Sequence, residues 1–562
     1  MSGLTLVTQD LSPQIRSWFG TSGADTGIGA GAGTGILGSQ DLIFGFQGND
    51  SLEAQFSTSV QIFGGQGNDS LTGSIVSLSI NRLFGNLGDD TLIALGGATN
   101  LLSGNQGNDT LFGADNTTTI DSLNGGQGND VLRGRGGGDY LSGDLGADVI
   151  WGDEGSNNAG NDTILGGAES DTIVGGGGND SIRGGQGNDY IEVDNSLSSN
   201  SPSGDGYIAG NDTVNGDAGN DTIGRIGTAG ATGLDWYNGG DGNDSIQGGD
   251  NGVAGSGGNP SGAGDTLIGG AGADYISGGS ANTNSGEDSI TGGAGNDTLI
   301  GGGEQVSATG TPPSTNNPFQ ASQGDTISGG DGNDSIDGGA GHDSITGDAG
   351  QDTISGGNDG DSLNGGADND SIYGGAGKDS IIGGTGADTL TGGAGSDTLI
   401  GSASTSDNDN AMDVFTFDLT DSNAFSTGTG DALANPATAA DPSTTATSGI
   451  PNAITQTNAD YILNFRVGQD KIDITSLSVS NVTFNNGTAQ TGQTVIFGRT
   501  PATTTIPTGG LAVSQIGQVY IQASGSDSIL YVERDGIGGR TDLDITLATV
   551  VGVNNLSAAD II

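Results

Sequence analysis

Residues 329–400 divide without a gap into eight nonapeptides: GGDGNDSID, GGAGHDSIT, GDAGQDTIS, GGNDGDSLN, GGADNDSIY, GGAGKDSII, GGTGADTLT and GGAGSDTLI. Their shared pattern is Gly-Gly-x-Gly-x-Asp-x-U-x, with U apolar; Asp348 replaces the second Gly once, and Asp359 and Asp368 replace the fourth-position Gly. Such a chain must stack one small unit many times. Glycine at the first, second and fourth positions permits positive φ and a tight, ligand-wrapping turn. Asn, common at the fifth position as in Asn49-Asp50 and Asn68-Asp69, is read as a residue that tolerates the left-handed region. The sixth-position Asp places a hard oxygen in the turn. A short strand follows, its central Leu or Ile inward and its neighbours outward. Two nonapeptides make one coil, with a turn on each edge. Each Asp should then lie above the Asp two repeats earlier.

Upstream the repeat looks broken, but the breaks are ordered. One edge carries Asp50, Asp69, Asp90, Asp109, Asp130, Asp148, Asp171, Asp189, Asp221, Asp244, Asp274, Asp297, Asp334, Asp352, Asp370 and Asp388. The other carries Val60, Asn81, Asn100, Asp121, Asp139, Asp162, Asp180, Asp212, Asp235, Asp265, Asp288, Asp325, Asp343, Asp361, Asp379 and Asp397. Every step from the second edge to the following first-edge residue is nine residues. All irregular steps run the other way, so every insertion falls on the second edge. The longest are Tyr190–Gly210, Gly248–Gly264 and Gly301–Gly324. They read either as surface loops or as a contact surface for a neighbouring molecule or a glycan.

The charge balance says what the ladders hold. Asp plus Glu number 68 against 12 Lys plus Arg, a formal net charge of −56. Many carboxylates with few cations call for a hard metal ion, calcium above all. The nonapeptide resembles the calcium-binding repeat of secreted RTX proteins. The resemblance implies an all-β fold, a parallel β-roll solenoid with calcium between successive turns. Its implied ligands are every first-edge Asp named above and, on the second edge, Asp139, Asp162, Asp180, Asp212, Asp235, Asp265, Asp288, Asp325, Asp343, Asp361, Asp379 and Asp397. Between Val60 and Asn100 calcium should be weak or missing. The first edge has 15 gaps between aspartates and the second 12; filling all of them would add about 54 positive charges against 56 negative ones. Each coil supplies only two inward aliphatic positions. Metal binding must therefore contribute much of the folding free energy.

Composition excludes other classes. With 115 Gly in 562 residues, the counts alone point to disorder; the two regular edges argue against it. There is no Cys and one His, His342, so no disulfide and no Cys/His zinc site is expected. His342 stands at a variable fifth position and is read as an exposed turn residue, not a catalyst. Glu169, Glu192 and Glu304 show no partner for carboxylate-pair chemistry. No apolar run reaches 18 residues. An anionic surface of this strength repels nucleic acid and anionic lipid.

The expected organisation is an N-terminal cap over 1–40, the roll over 41–400 with insertions on one edge, and a β-rich C-terminal domain over 401–562. No Lys or Arg precedes Arg16 and no apolar signal core is present, so a Sec signal is not expected. Runs such as Val414-Phe415-Thr416-Phe417, Val495-Ile496-Phe497 and Val519-Tyr520-Ile521 read as antiparallel-type strands around a Thr/Ala/Pro-rich insert at Ser422–Thr457. Asp460-Tyr-Ile-Leu-Asn-Phe465 with Gly468-Gln-Asp-Lys-Ile-Asp473 resembles the capping segment of RTX exoproteins, although Asn464 stands where that family usually has Asp. Glu533-Arg-Asp-Gly536 and Asp542 resemble a further acidic turn. The end, Leu556-Ser-Ala-Ala-Asp-Ile-Ile562, is similar to tails read by type I exporters; a final strand packed on the cap is a compatible reading.

These features imply a non-enzymatic, secreted, calcium-binding protein of the cell surface, folding after type I export and self-associating into a layer, filament or matrix. Cell-surface polysaccharide is a further candidate partner. The alternative is an adhesin or glycan-binding module using Tyr140, Trp151, Tyr190, Trp236, Tyr237 and Tyr275. Outward strand packing explains the same aromatics. An enzyme built on the solenoid face is the third reading.

Overall fold

A computed structural model describes residues 5–6, 15–24, 26–29 and 40–402, with breaks at 55–56, 77–78, 98, 116–119, 154–159, 195–209, 225–233, 249–262, 280–286 and 303–323. Beyond these it describes 411–416, 460–463, 471–473, 494–497, 519–524, 527–532 and 545–550. Most of the three long insertions, Glu304, the segment 422–457, Glu533–Gly536, Asp542 and the tail 556–562 lie outside the described residues. The chain divides into two units, Met1–Ala294 and Gly295–Ile562.

The fold is an all-β parallel solenoid, and no described residue is helical. In the first unit two parallel ladders run side by side. Strands that follow second-edge residues form one, as in Asn81↔Asn100↔Asp121 and Leu83↔Leu102↔Leu123. Strands that follow first-edge residues form the other, as in Leu71↔Leu92↔Leu111. The second unit repeats the arrangement, with Ile345↔Leu363↔Ile381↔Leu399 on one ladder and Ile354↔Ile372↔Leu390↔Phe415 on the other. The register follows from the period-two strand, because a one-residue slip would turn the single inward aliphatic to solvent. Leu83, Leu102, Leu123 and Leu399 are fully buried. The outward neighbours are mostly small and polar. The exception is a stack of Phe19, Phe44, Phe63 and Phe84, with ring centroids 4.9 to 5.5 Å apart.

Parallel pairing extends past both ends of the perfect repeats. Ile15–Phe19 pairs with Gln40–Gln47, and Thr5–Leu6 folds back antiparallel on it. In the second unit Val414–Thr416 and Lys471–Asp473 continue one ladder, and Asp460–Leu463 the other. Thr494–Phe497, Val519–Ser524, Asp527–Val532 and Ile545–Val550 form an antiparallel meander. Its last strand pairs with Asp460–Leu463. Val495–Phe497 and Val519–Ile521 lie in the antiparallel meander as read, whereas Val414–Thr416 pairs in parallel, against the antiparallel reading, and Phe417 lies outside the described residues.

The glycines divide their work differently from the expectation. Positive φ falls at the second and fourth positions, as at Gly65 (118°) and Gly67 (122°), and among the described residues not at the fifth-position Asn. The first-position glycine serves close approach instead. A Cβ on Gly347 would lie 2.3 Å from Asp352 Oδ2 and 2.5 Å from the Gly365 carbonyl oxygen of the next coil. Gly347→Ala is therefore expected to cost about 1–3 kcal/mol and to lower the melting temperature of the calcium-loaded protein, as read by scanning calorimetry.

Candidate metal centre

Each ladder aspartate closes its turn by the same set of bonds. In the first unit the Asp69 N–H donates to Asp90 Oδ1 (2.7 Å), Asp90 to Asp109 (2.7 Å), and Asp109 to Asp130 (2.7 Å). In the second unit Asp334 donates to Asp352 (2.8 Å) and Asp352 to Asp370 (2.9 Å). The second edge does the same, Asp139 to Asp162 (2.7 Å) and Asp343 to Asp361 (2.9 Å). The Asp main-chain oxygen accepts from the first strand residue of the next coil, as in Thr91 N–H to Asp69. Every proposed ligand on either edge is buried, at 3% exposure or less.

That leaves the second carboxylate oxygen. Oδ2 is buried without a hydrogen-bond partner in Asp69, Asp90, Asp109, Asp130, Asp148, Asp171, Asp189, Asp221 and Asp244, and in Asp334, Asp352 and Asp370. On the second edge the same holds for Asp139, Asp162, Asp180, Asp212, Asp343, Asp361 and Asp379. In most of them a carbonyl oxygen of the next coil lies close by, as the Gly365 carbonyl oxygen does to Asp352 Oδ2, both within 2.5 Å of where a Cβ on Gly347 would stand. Two acceptors thus face each other with no donor between them. An uncompensated buried carboxylate costs several kcal/mol, roughly half of a domain's whole stability or more. Nineteen of them require protons or cations.

Oxygen-only donors of this kind fit calcium, which takes carboxylates and main-chain carbonyls together. Among the described residues no three acidic or His side chains converge on one point. The sites would therefore draw on one or two carboxylates each and complete their shells with main-chain oxygens. The ladder aspartates would hold the ion, and the ion would neutralise the edge.

Without a cation, burial pushes the carboxyls up. Asp90, Asp130 and Asp370 rise to about 7, Asp171 and Asp361 to about 8, and Asp139 and Asp180 to about 9. Unfolded, they would titrate near 3.8. The metal-free fold thus binds more protons than the unfolded chain between these limits. Its stability is greatest below about pH 4 and is lost as pH rises through 6–9. In EDTA, lowering pH from 8 to 5.5 should restore far-UV β signal, whereas the calcium-loaded protein should lose ions over the same range.

Three departures were not legible in the spacing. First, the calcium-poor stretch is closed by amides. Asn81 Nδ2 donates to Asn100 Oδ1 (2.8 Å) and Asn100 Nδ2 to Asp121 Oδ1 (2.6 Å), while the Ala114 N–H donates to Asp121 Oδ2 (2.6 Å). An NH₂ group does there what a cation would do elsewhere. Asn100→Asp should make this segment exchange amide hydrogens faster in EDTA. Second, Asp41 stands in register with Val60, in the second-edge column, and Asp413 accepts from the Asp388 N–H (3.2 Å), extending the first edge. Irregular spacing hid Asp413, and Val60 interrupts the column after Asp41. Third, Tyr237 is 1% exposed and its hydroxyl donates to Asp235 Oδ2 (3.1 Å). It occupies a core position and does not belong with the exposed aromatics.

The fifth-position residues form a second, outer ladder running in the opposite sense. The Asn129 N–H donates to Asn108 Oδ1 (2.7 Å), and the Gln351 N–H to Asn333 Oδ1 (2.7 Å). Asn is used as an acceptor here, which corrects the left-handed explanation. His342 takes the same part, accepting the Gly360 N–H at Nδ1 (3.0 Å) from an exposed turn.

The model of the RTX calcium-binding nonapeptide repeat matches residues 61–75, 78–191, 209–223, 261–304 and 321–405, overlapping matches merged. The gaps between matches fall at insertions of the second edge. No curated protein matches the chain.

Proposed function

Because the chain belongs to the RTX calcium-binding repeat family, we propose that it is a secreted structural protein of the cell surface whose fold is switched on by calcium. The observation that supports this reading is the run of buried Oδ2 atoms without a partner along both edges. Where calcium is scarce, repulsion among the carboxylates and a two-residue core per coil keep the chain extended. An extended chain can thread a type I exporter. At millimolar calcium outside the cell the ladders are neutralised and the coils stack. Anionic rods then associate through their decorated edge, their stack ends or bridging calcium, into a layer, filament or matrix.

The chemistry available argues for a structural role. The single histidine is committed to a turn ladder, and the ladder carboxylates to the coil edges. Purified protein should show little β structure in EDTA at pH 8 and gain it on addition of calcium, as followed by circular dichroism. Electron microscopy at millimolar calcium should show ordered assemblies. Monodisperse particles there would sink the surface-assembly reading while leaving calcium-driven folding intact.

One observation favours a second reading, adhesion to cell-surface polysaccharide. Tyr140, Tyr190, Trp236 and Tyr275 are 36–47% exposed. Binding on a glycan array that is abolished by Trp236→Ala would decide for it.

A further inference from the structure

The turn between Asp148 and Asp162 holds a carboxylate that neither edge accounts for. Asp153 occupies the second position of its repeat, after Gly152. Asp144 and Asp348 occupy the same position elsewhere with positive φ (73° and 71°), and both are exposed. Asp153 is instead 2% exposed. Its Oδ2 accepts the Gly160 N–H (2.9 Å), and the nearby main-chain N–H of Gly177 in the next coil favours its charged form. Its Oδ1 is buried with no partner.

The groups around this oxygen are the second-edge rungs. Asp153 lies within electrostatic reach of Asp139, Asp162 and Asp180, three consecutive aspartates, and raises the carboxyl of each. All three have a partnerless buried Oδ2 of their own. Beside Asp162 the Gly175 carbonyl oxygen adds a further donor, since both would lie 2.2 Å from a Cβ on Gly152. Arg135 pairs in register with Asp153, but its Nη1 donates to the Gly113 carbonyl oxygen (3.2 Å) and its guanidinium sits 4.9 Å from the Phe112 ring. No neighbouring cation figures among the influences on the Asp153 carboxyl. Elsewhere on this edge a second carboxylate near the turn, such as Asp359 beside Asp361, is exposed; here the second one is buried.

We infer that Asp153 is an additional calcium ligand and that the turn it shares with Asp162 is the tightest cation site of the chain. Calcium affinity in oxygen sites rises with the number of ligand charges. Two buried carboxylates from one turn, flanked by a rung on either side, concentrate more buried charge here than at the other described turns of the second edge. It should fill first as calcium rises and empty last on chelation. The inference rests on the calcium-roll reading above.

The test is calcium release from the full-length protein. Bound calcium is counted by mass spectrometry of the metal while the free ion is lowered with graded chelator. Wild type is expected to retain a last, tight fraction that Asp153→Asn loses, with affinity for it weakened at least tenfold. Asp144→Asn, a surface change at the same repeat position, should release calcium as wild type does. The Asn substitution keeps an acceptor for the Gly160 and Gly177 amides. As a check independent of that variant, terbium replaces calcium and indole-excited emission is followed. Trp151, two residues from Asp153, should sensitise the first ion bound, and Trp151→Phe should remove that early emission. Unchanged tight binding in Asp153→Asn, or early emission surviving in Trp151→Phe, overturns this inference alone. Wild-type protein that takes up no calcium overturns both it and the reading beneath it.

Discussion

A carboxylate oxygen facing a main-chain carbonyl, with no hydrogen between them, is the contact on which the rest of this structure depends. It recurs along both edges. The hydrogen bonds of Oδ1 set the coil spacing, so Oδ2 cannot turn away to find a donor. The first-position glycine keeps the space beneath it open, and any larger residue would push the coils apart. What these turns leave unsatisfied is a side-chain oxygen. That atom makes the fold conditional on protons or on a hard cation.

This arrangement explains why so little core is needed. One Leu or Ile per strand is enough to set inside and outside, and hence the register. It is not enough to hold many glycines in order. On the proposed reading, cation binding carries the folding free energy that burial does not. Where the chain puts Asn81 and Asn100 on the edge, an amide supplies its own donor and the contact closes without an ion. Where it puts Tyr237 in the core, a phenol reaches Asp235 and does the same. The edges are graded in how strongly they demand calcium.

Legibility in the sequence followed locality. The tandem copies at 329–400, the nine-residue step between edges and the inward aliphatics all express interactions within one or two turns. They are visible as spacing, and the parallel register of the coils follows from them. The role of the fifth-position Asn was misread because its partner lies one coil away, tens of residues distant in sequence. Asp413 escaped notice for a related reason, since the irregular step before it looks like the end of the repeat. Asp153 looked like any polar turn residue, and only its burial sets it apart from Asp144 and Asp348.

The sequence by itself determined the solenoid and its two edges, because period and glycine placement are properties of a single repeat, and its resemblance to the RTX repeat implied calcium. Only the tertiary structure decided which oxygen of each aspartate is left over, which rungs are closed by amides or a phenol, and where a second carboxylate enters the ladder. Those outcomes depend on contacts between successive coils, and the donors that satisfy or fail to satisfy a buried oxygen there are set by stacking rather than by spacing along the chain.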